Sequence, residues 1–217
     1  MKPYLREEND LNFDLLEPGD LLLVANPTDL WFVRYLLLWS HVGIVTEGGV
    51  VDAIRDPRGE YIEEQQWGTV QCVPHRIYSA NHDIIALRVK CSREKRAAAA
   101  RYAMERLGLP YSPTLRKTFF SRGDTTHYSC ASLMWQAYKA QGIDLDPLPW
   151  KANLMLFPAL LLHTPHIEVI ARGTRYKPIP KNWRNRGLIM ERMWFKHMLR
   201  ADIRTMIQQR KVADARH

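Results

Sequence analysis

The sequence is poor in cysteine and has no long apolar run. Its 217 residues include only Cys72, Cys91 and Cys130. Three cysteines cannot all pair and are too few for a disulfide-stapled scaffold, so we expect free thiols and a reducing compartment. The two most apolar runs, Leu30–Trp39 and Leu154–Leu162, are too short to cross a bilayer and are expected to be buried or interfacial.

The amino terminus has no apolar signal core. Residues 1–20 alternate charged and apolar side chains, so we expect synthesis in the cytoplasm without a secretory signal peptide. Internal repeats and low-complexity segments are absent as well. Because 46% of the residues are hydrophobic, the chain has enough apolar material for the core of one domain with an appendage.

Positive charge is concentrated at the carboxyl end. Residues 172–217 hold 13 Lys and Arg against 3 Asp and Glu, whereas residues 1–171 hold 18 against 20. We therefore expect a domain at 1–171 and a basic, amphipathic helical extension at 172–217. Such a tail suits an anionic partner, either a membrane surface or a cell-wall polymer. The alternative is a solvated basic helix that packs on its own domain. No zinc-finger, RNA-recognition or helix-turn-helix pattern supports nucleic acid as a partner.

Short apolar segments predict an antiparallel sheet. Because each is apolar or β-branched and ends at turn residues, strands are expected at 21–24, 40–46, 50–54, 69–74, 84–90 and 166–171. The turn Glu47-Gly48-Gly49 joins the second and third strands into a hairpin. Helices are expected from Ser92, a capping residue, to Gly108, and over 154–162.

Residues 125–140 predict a buried helix with a cysteine in its first turn. Thr125, Thr126 and Ser129 are residue types that start helices, and an apolar stripe at helical spacing follows them. The positive end of the helix dipole at Cys130 would favour a thiolate. The alternative is a small core residue without chemistry, as most lone cysteines in intracellular proteins are.

A thiol nucleophile requires a base and a group that orients the base, and His41 and Asp52 on the hairpin are the candidates. A turn at 47–49 pairs residues whose numbers sum to about 96, which puts Asp52 near Ile44. At the usual rise per residue, Asp52 would then lie about 10 Å along the strand from His41. Spacing alone does not predict their contact, although a buried acid on an apolar strand requires a partner.

Other polar residues are assigned no chemistry. Asp20 is expected to be a turn residue, and His127 to lie at the surface. Two pairs, Cys72 with His75 and His163 with His166, have ligand-like spacing, but such spacing is common by chance and no second Cys pair accompanies it. We therefore predict no metal site.

Five motifs, taken in order, resemble a known family of enzymes. They are PGDLLLV at 18–24, WSHVGIV at 39–45, VVDA at 50–53, GLPYS at 108–112 and YSCASLMWQAYKAQGI at 128–143. Together they are similar to the circularly permuted NlpC-like, papain-like cysteine enzymes, namely the YiiX/YaeF-like amidases, which are related to lecithin retinol acyltransferases. The resemblance implies an α+β, permuted papain-like fold, in which an antiparallel sheet packs against the helix that carries the nucleophile.

The resemblance also implies roles for particular residues. The nucleophile corresponds to Cys130, the base to His41, and the third polar residue to Asp52, where YiiX-like members usually have Glu. Acyl transfer would pass through a thioester on the cysteine, without a cofactor. The Cys130 amide is expected to donate to the oxyanion. Three further candidates for oxyanion or substrate binding are Ser40, Tyr35 and Ser129.

Three functions follow as hypotheses. The first is a cysteine amidase or endopeptidase that acts on peptidoglycan peptides. Such an enzyme would have to be exported by a specialised secretion system, and it could be an antibacterial toxin with an immunity partner. The second is a membrane-associated acyltransferase or lipid-directed hydrolase, with residues 30–39 and the basic tail on the membrane. The third is a non-catalytic binding module, against which the presence of both Cys130 and His41 argues.

Overall fold

The chain forms a mixed α/β unit built on one antiparallel sheet. The computed structural model describes residues 6–25, 39–54, 68–81, 83–111, 126–146 and 158–175, which lie within one compact unit, Arg6–Arg175. Six strands are hydrogen-bonded in the order β4-β3-β2-β1-β5-β6, and every neighbouring pair is antiparallel. This arrangement confirms the expected α+β class.

The strands and helices have the following bounds. The strands are β1 (Leu21–Ala25), β2 (Trp39–Thr46), β3 (Gly49–Ala53), β4 (Val70–Val73), β5 (Asp83–Val89) and β6 (Ile167–Thr174). The α-helices are α1 (His75–Ser79), α2 (Arg93–Met104) and α3 (Cys130–Lys139), and short 3-10 helices occupy Phe13–Leu15 and Pro158–His163.

Most predicted elements are present, and most strand bounds shift by one residue. The helix expected to end at Gly108 ends at Met104, and the helix expected over 125–140 begins at Cys130. The helix expected over 154–162 is instead a 3-10 helix at Pro158–His163, and α1 was not predicted. The strand expected to end at residue 171 continues to Thr174. The division into domains at 171 and 172 stays a prediction, since the basic tail from residue 176 onward lies outside the described residues.

The β2–β3 hairpin has a different register from the predicted one. Ile44 pairs with Val51 and Thr46 with Gly49, so paired numbers sum to 95 and not to 96. Because side chains alternate between the faces of a sheet, this shift moves Asp52 onto the same face as His41. The expected separation of about 10 Å along the strand is therefore wrong, because diagonal neighbours on one face lie about 7–8 Å apart.

The sheet is covered on both faces. One face packs against α2 and α3 through apolar side chains of the sheet and of both helices, including Leu21, Leu23, Val42, Ala103 and Leu133. The opposite face packs against the amino-terminal segment and α1 through Leu11, Leu22, Val24, Val45 and Tyr78. Because both faces are covered, β1 is buried along its whole length. Within the described residues, no helix has the length and apolarity that a bilayer crossing requires.

Asp20 anchors the turn that leads into β1. Its side chain is fully buried and accepts two hydrogen bonds from Arg88, at 2.8 and 2.6 Å, and one from the Glu17 amide at 2.8 Å. The preceding Gly19 has a φ of +97°, and a Cβ there would lie 2.5 Å from the Arg96 carbonyl oxygen. A side chain at this position is therefore excluded by both backbone conformation and space. Asp20 is a structural residue, as expected.

Removing this buried carboxylate should destabilise the protein. We expect Asp20→Ala to lower the free energy of unfolding by about 3 kcal/mol, because the Arg88 guanidinium and the Glu17 amide lose their shared acceptor. Urea denaturation followed by tryptophan fluorescence measures the change. The exposed Asp14 provides the control, since Asp14→Ala should change stability by less than about 0.5 kcal/mol. Equal effects of the two substitutions would contradict the anchoring role.

Candidate active site

Cys130 is the first residue of α3. Ser129 caps the helix: its hydroxyl accepts a hydrogen bond from the Ser132 amide at 3.1 Å, and the Ser132 hydroxyl accepts one from the Ser129 amide at 2.8 Å. This reciprocal pair fixes where the helix begins. The amide groups of the first turn therefore point out of the helix end beside the Cys130 side chain, which is 6% exposed.

His41 and Asp52 form a hydrogen-bonded pair on the face of the sheet that α1 covers. His41 Nε2 lies 2.8 Å from Asp52 Oδ2, and the two side chains are 15% and 4% exposed. The register of β2 and β3 puts both residues on one face, and the β1–β2 ladder is irregular next to His41, since Val24 pairs with His41 but Ala25 pairs with Trp39. Such a bulge redirects neighbouring side chains.

Cys130 contacts the same imidazole. Its side chain lies close enough to His41 to raise the pKa of the imidazole, by hydrogen bonding and by charge. Because Nε2 is hydrogen-bonded to Asp52, Nδ1 is the ring nitrogen that remains available to a further partner. The structure thus brings together Cys130, His41 and Asp52, the three residues predicted to form the site, with the histidine in the middle.

The pKa of His41 lies above the ordinary value for histidine. Burial alone lowers the pKa of His41, but hydrogen bonds and negative charge from Asp52 and Cys130 raise the pKa to about 10, from an ordinary value of 6.5. The raised pKa favours the imidazolium form of His41 at neutral pH. A cation beside a cysteine favours the nucleophilic thiolate, so the arrangement is suited to attack on an electrophilic carbon.

Tyr78 on α1 is part of the site, although the sequence analysis did not identify it. Its hydroxyl donates a hydrogen bond of 2.8 Å to Asp52 Oδ2 and lies 3.3 Å from His41 Nε2. A helix as short as α1 leaves no periodic pattern in the sequence. The available signal was Gly43 within the strand motif SHVGIV, because a glycine inside a strand often marks close approach of another group.

The structure does not show a role in binding for the remaining candidates, Ser129, Ser40 and Tyr35. The hydroxyl of Ser129 acts as the helix cap, and the residue is 2% exposed. Ser40 lies in β2, but its side chain lies outside the described residues, and so does the whole of Tyr35. Their expected roles in binding the oxyanion or substrate therefore stay predictions.

His127, Cys72 and Cys91 are further candidates for chemistry among the described residues. His127 is exposed and shares a 2.8 Å hydrogen bond with Thr126. Cys72 and Cys91 are half-buried free thiols, and burial raises the pKa of Cys91. Over the described ranges, no three His, Cys, Asp or Glu side chains are arranged to hold a metal ion.

Comparisons with known proteins give one distant similarity of fold. No family model and no curated protein matches the sequence. The chain is similar to a solved structure, the metalloprotein yiiX from Escherichia coli O157:H7, with a TM-score of 0.47 and 14% sequence identity. The alignment covers 75% of this chain and 98% of that one. So distant a similarity does not assign the chain to a family.

The protonation of His41 can be measured directly. We expect imidazole NMR signals of His41 to show a protonated ring up to a midpoint near pH 10. In Asp52→Asn the midpoint should fall by about one to three pH units, because the anion that favours the cation is gone while burial still disfavours it. His41→Gln identifies the signals. A wild-type midpoint near 6.5, or an unchanged midpoint in Asp52→Asn, would contradict the geometry.

Proposed function

We propose that this protein is a cysteine hydrolase, an amidase or endopeptidase that works through a thioester on Cys130. One observation carries the proposal: Cys130, at the start of α3, contacts His41, whose Nε2 is hydrogen-bonded to Asp52. A nucleophile, a base and an orienting group in this order are the parts that covalent acyl transfer requires. The motif resemblance to permuted papain-like enzymes supports the same reaction class and the same residues.

The reaction would proceed in two halves. The Cys130 sulfur attacks the carbonyl carbon of an amide, the C–N bond breaks, and the leaving amine takes the proton of His41. The neutral imidazole then removes a proton from water, which attacks the thioester. The carboxylic acid product leaves, and thiolate and imidazolium are restored. Because the pKa of His41 is raised, the histidine acts first as an acid and then as a base.

Backbone amides at the start of α3 are the proposed oxyanion donors. Cys130 and Ala131 are the first two residues of the helix, and amides in the first turn have no partner within the helix. They lie beside the attacking sulfur, where negative charge develops on the carbonyl oxygen.

The proposed substrate is a peptide of the bacterial cell wall. Support comes from the motif resemblance to the YiiX/YaeF-like amidases and from the basic sequence of residues 172–217, which suits an anionic polymer. Export by a specialised secretion system and an immunity partner remain part of this proposal.

The substrate proposal is tested with purified peptidoglycan. The wild-type protein should release soluble peptide fragments, detected by mass spectrometry, and Cys130→Ala should lower the rate more than about 1000-fold because no thioester can form. The half-buried Cys72 on β4 gives a matched control, since Cys72→Ala should retain the wild-type rate. Fragment release that survives in Cys130→Ala would contradict a thiol mechanism.

The covalent intermediate provides a second test. Acid quenching during turnover should leave an acyl group on Cys130, visible as added mass and removable by hydroxylamine, because a thioester is cleaved by that reagent. The mass identifies the acyl group. An adduct on another residue would contradict the assignment, and transfer of the acyl group to an added amine, in preference to water, would establish the acyltransferase alternative.

A further inference from the structure

Among the described residues of α1, Tyr78 alone has a side chain that is hydrogen-bonded to the His41–Asp52 pair. Its hydroxyl lies 2.8 Å from Asp52 Oδ2 and 3.3 Å from His41 Nε2. The residue is 2% exposed, so the hydroxyl is shielded from bulk water. The rings of Tyr78 and His41 are tilted by 31°, with centroids 6.3 Å apart. The tyrosine thus reaches the pair through its hydroxyl and not by stacking.

The sheet leaves space for this hydroxyl at Gly43. A Cβ at Gly43 would lie 2.4 Å from the Tyr78 hydroxyl oxygen and 2.6 Å from Val50 Cγ1. Real contacts are never so short, so any side chain at position 43 would displace one of these neighbours. Gly43 lies two residues from His41 on the same face of β2. The glycine therefore lets Tyr78 approach the sheet at the level of the pair.

The main chain that carries Tyr78 is held from the amino-terminal segment. The side-chain amide of the buried Asn9 donates to the Tyr78 carbonyl at 2.8 Å, and the Asn9 backbone amide donates to the Ser79 carbonyl at 2.7 Å. The Asn9 side chain also donates to the Asn81 carbonyl, at 3.2 Å. These bonds fix the end of α1, and the Tyr78 hydroxyl has a defined position as a result.

The Tyr78 hydroxyl serves as a hydrogen-bond donor to the Asp52 carboxylate. An ionised carboxylate only accepts, so Tyr78 donates to Asp52 Oδ2, which also accepts from His41 Nε2. The second oxygen, Oδ1, is buried and accepts no hydrogen bond in the described part of the chain. Both restraints on the carboxylate plane therefore act at Oδ2. Without the tyrosine, His41 would be the only described side chain that is hydrogen-bonded to that oxygen.

We propose that Tyr78 is a positioning residue for the thiol site. It holds the Asp52 carboxylate so that Oδ2 accepts from Nε2, which in turn fixes the orientation of the imidazole beside Cys130. This inference rests on the proposed function, because a fixed imidazole matters only where the sulfur reacts. Tyr78 acts through Asp52 and His41 and does not itself contact the sulfur-bound acyl group.

The test removes one oxygen atom and keeps the ring. Tyr78→Phe is compared with Tyr138→Phe, a matched control in which a fully buried tyrosine on α3 loses a hydroxyl that donates to the Gly19 carbonyl instead. The first readout is the rate at which iodoacetamide alkylates Cys130 at neutral pH. We expect Tyr78→Phe to lower this rate about tenfold, as losing one hydrogen bond to a charged group would, and Tyr138→Phe to leave it unchanged.

The second readout is the Nε2 proton of His41, which should give a sharp, downfield NMR signal in the wild-type protein and in Tyr138→Phe. In Tyr78→Phe the signal should broaden or disappear, because the carboxylate no longer holds the ring in one orientation. Gly43→Ala, which changes no side chain of the site, should reproduce both effects by displacing Tyr78. An unchanged rate and an unchanged signal in Tyr78→Phe would reduce Tyr78 to a packing residue and overturn the proposal.

Failure of the proposed function would look different. If wild-type Cys130 is alkylated no faster than Cys72, the site has no activated thiol and the hydrolase proposal fails. The His41 signal then still decides whether Tyr78 positions the imidazole. A signal lost in Tyr78→Phe supports positioning by Tyr78, and a signal retained there opposes it.

Discussion

The candidate site depends on one buried oxygen atom, Oδ2 of Asp52. A carboxylate that is 4% exposed is unfavourable unless hydrogen bonds and opposite charge compensate for its lost hydration. Here the compensation comes from His41 on β2 and from Tyr78 on α1. Asp52 on β3 is thereby hydrogen-bonded to residues of both β2 and α1. His41, in turn, interacts with Cys130 on α3.

Asp20 is a second buried carboxylate, and its partner explains why Asp52 is a candidate for a catalytic role and Asp20 is not. Asp20 is bound by Arg88 through two hydrogen bonds, and a guanidinium keeps its charge at all ordinary pH values. That pair can only hold the turn before β1 in place. The partner of Asp52 is a histidine, whose proton can leave, and a cysteine lies on the other side of that histidine. A fixed pair stabilises, whereas a titratable pair beside a nucleophile can also react.

Much of the fold could be predicted from sequence because its signals are local. The continuously apolar β1, the capped helix α2 and the start of α3 each depend on residues within a few positions, and the structure has all three. Predictions failed where the outcome depends on distant residues. The hairpin register differs by one residue, because a turn of Glu and two Gly permits more than one pairing, and the choice is made by which side chains the two faces can bury.

The site shows the same division between local and distant signals. Cys130 could be placed at a helix start from its neighbours, and motif order supplied His41 and Asp52 as its partners. The contact between His41 and Asp52 could not be predicted, because the one-residue register error moved Asp52 to the opposite face. Tyr78 could not be predicted either, since its helix spans only five residues, His75–Ser79, and its position is set by Asn9, which is 69 residues away in the chain.

The raised pKa of His41 also constrains the order of events in the proposed reaction. If the imidazole were neutral in the resting protein, the sulfur would have to give up its proton during attack. A pKa raised to about 10 instead favours the protonated imidazole, and a cation beside a cysteine favours the thiolate that attacks. The cation also neutralises the Asp52 charge, which would otherwise be buried without a counterion. The same interaction that makes a buried carboxylate tolerable between β2, β3 and α1 thus prepares the sulfur for reaction.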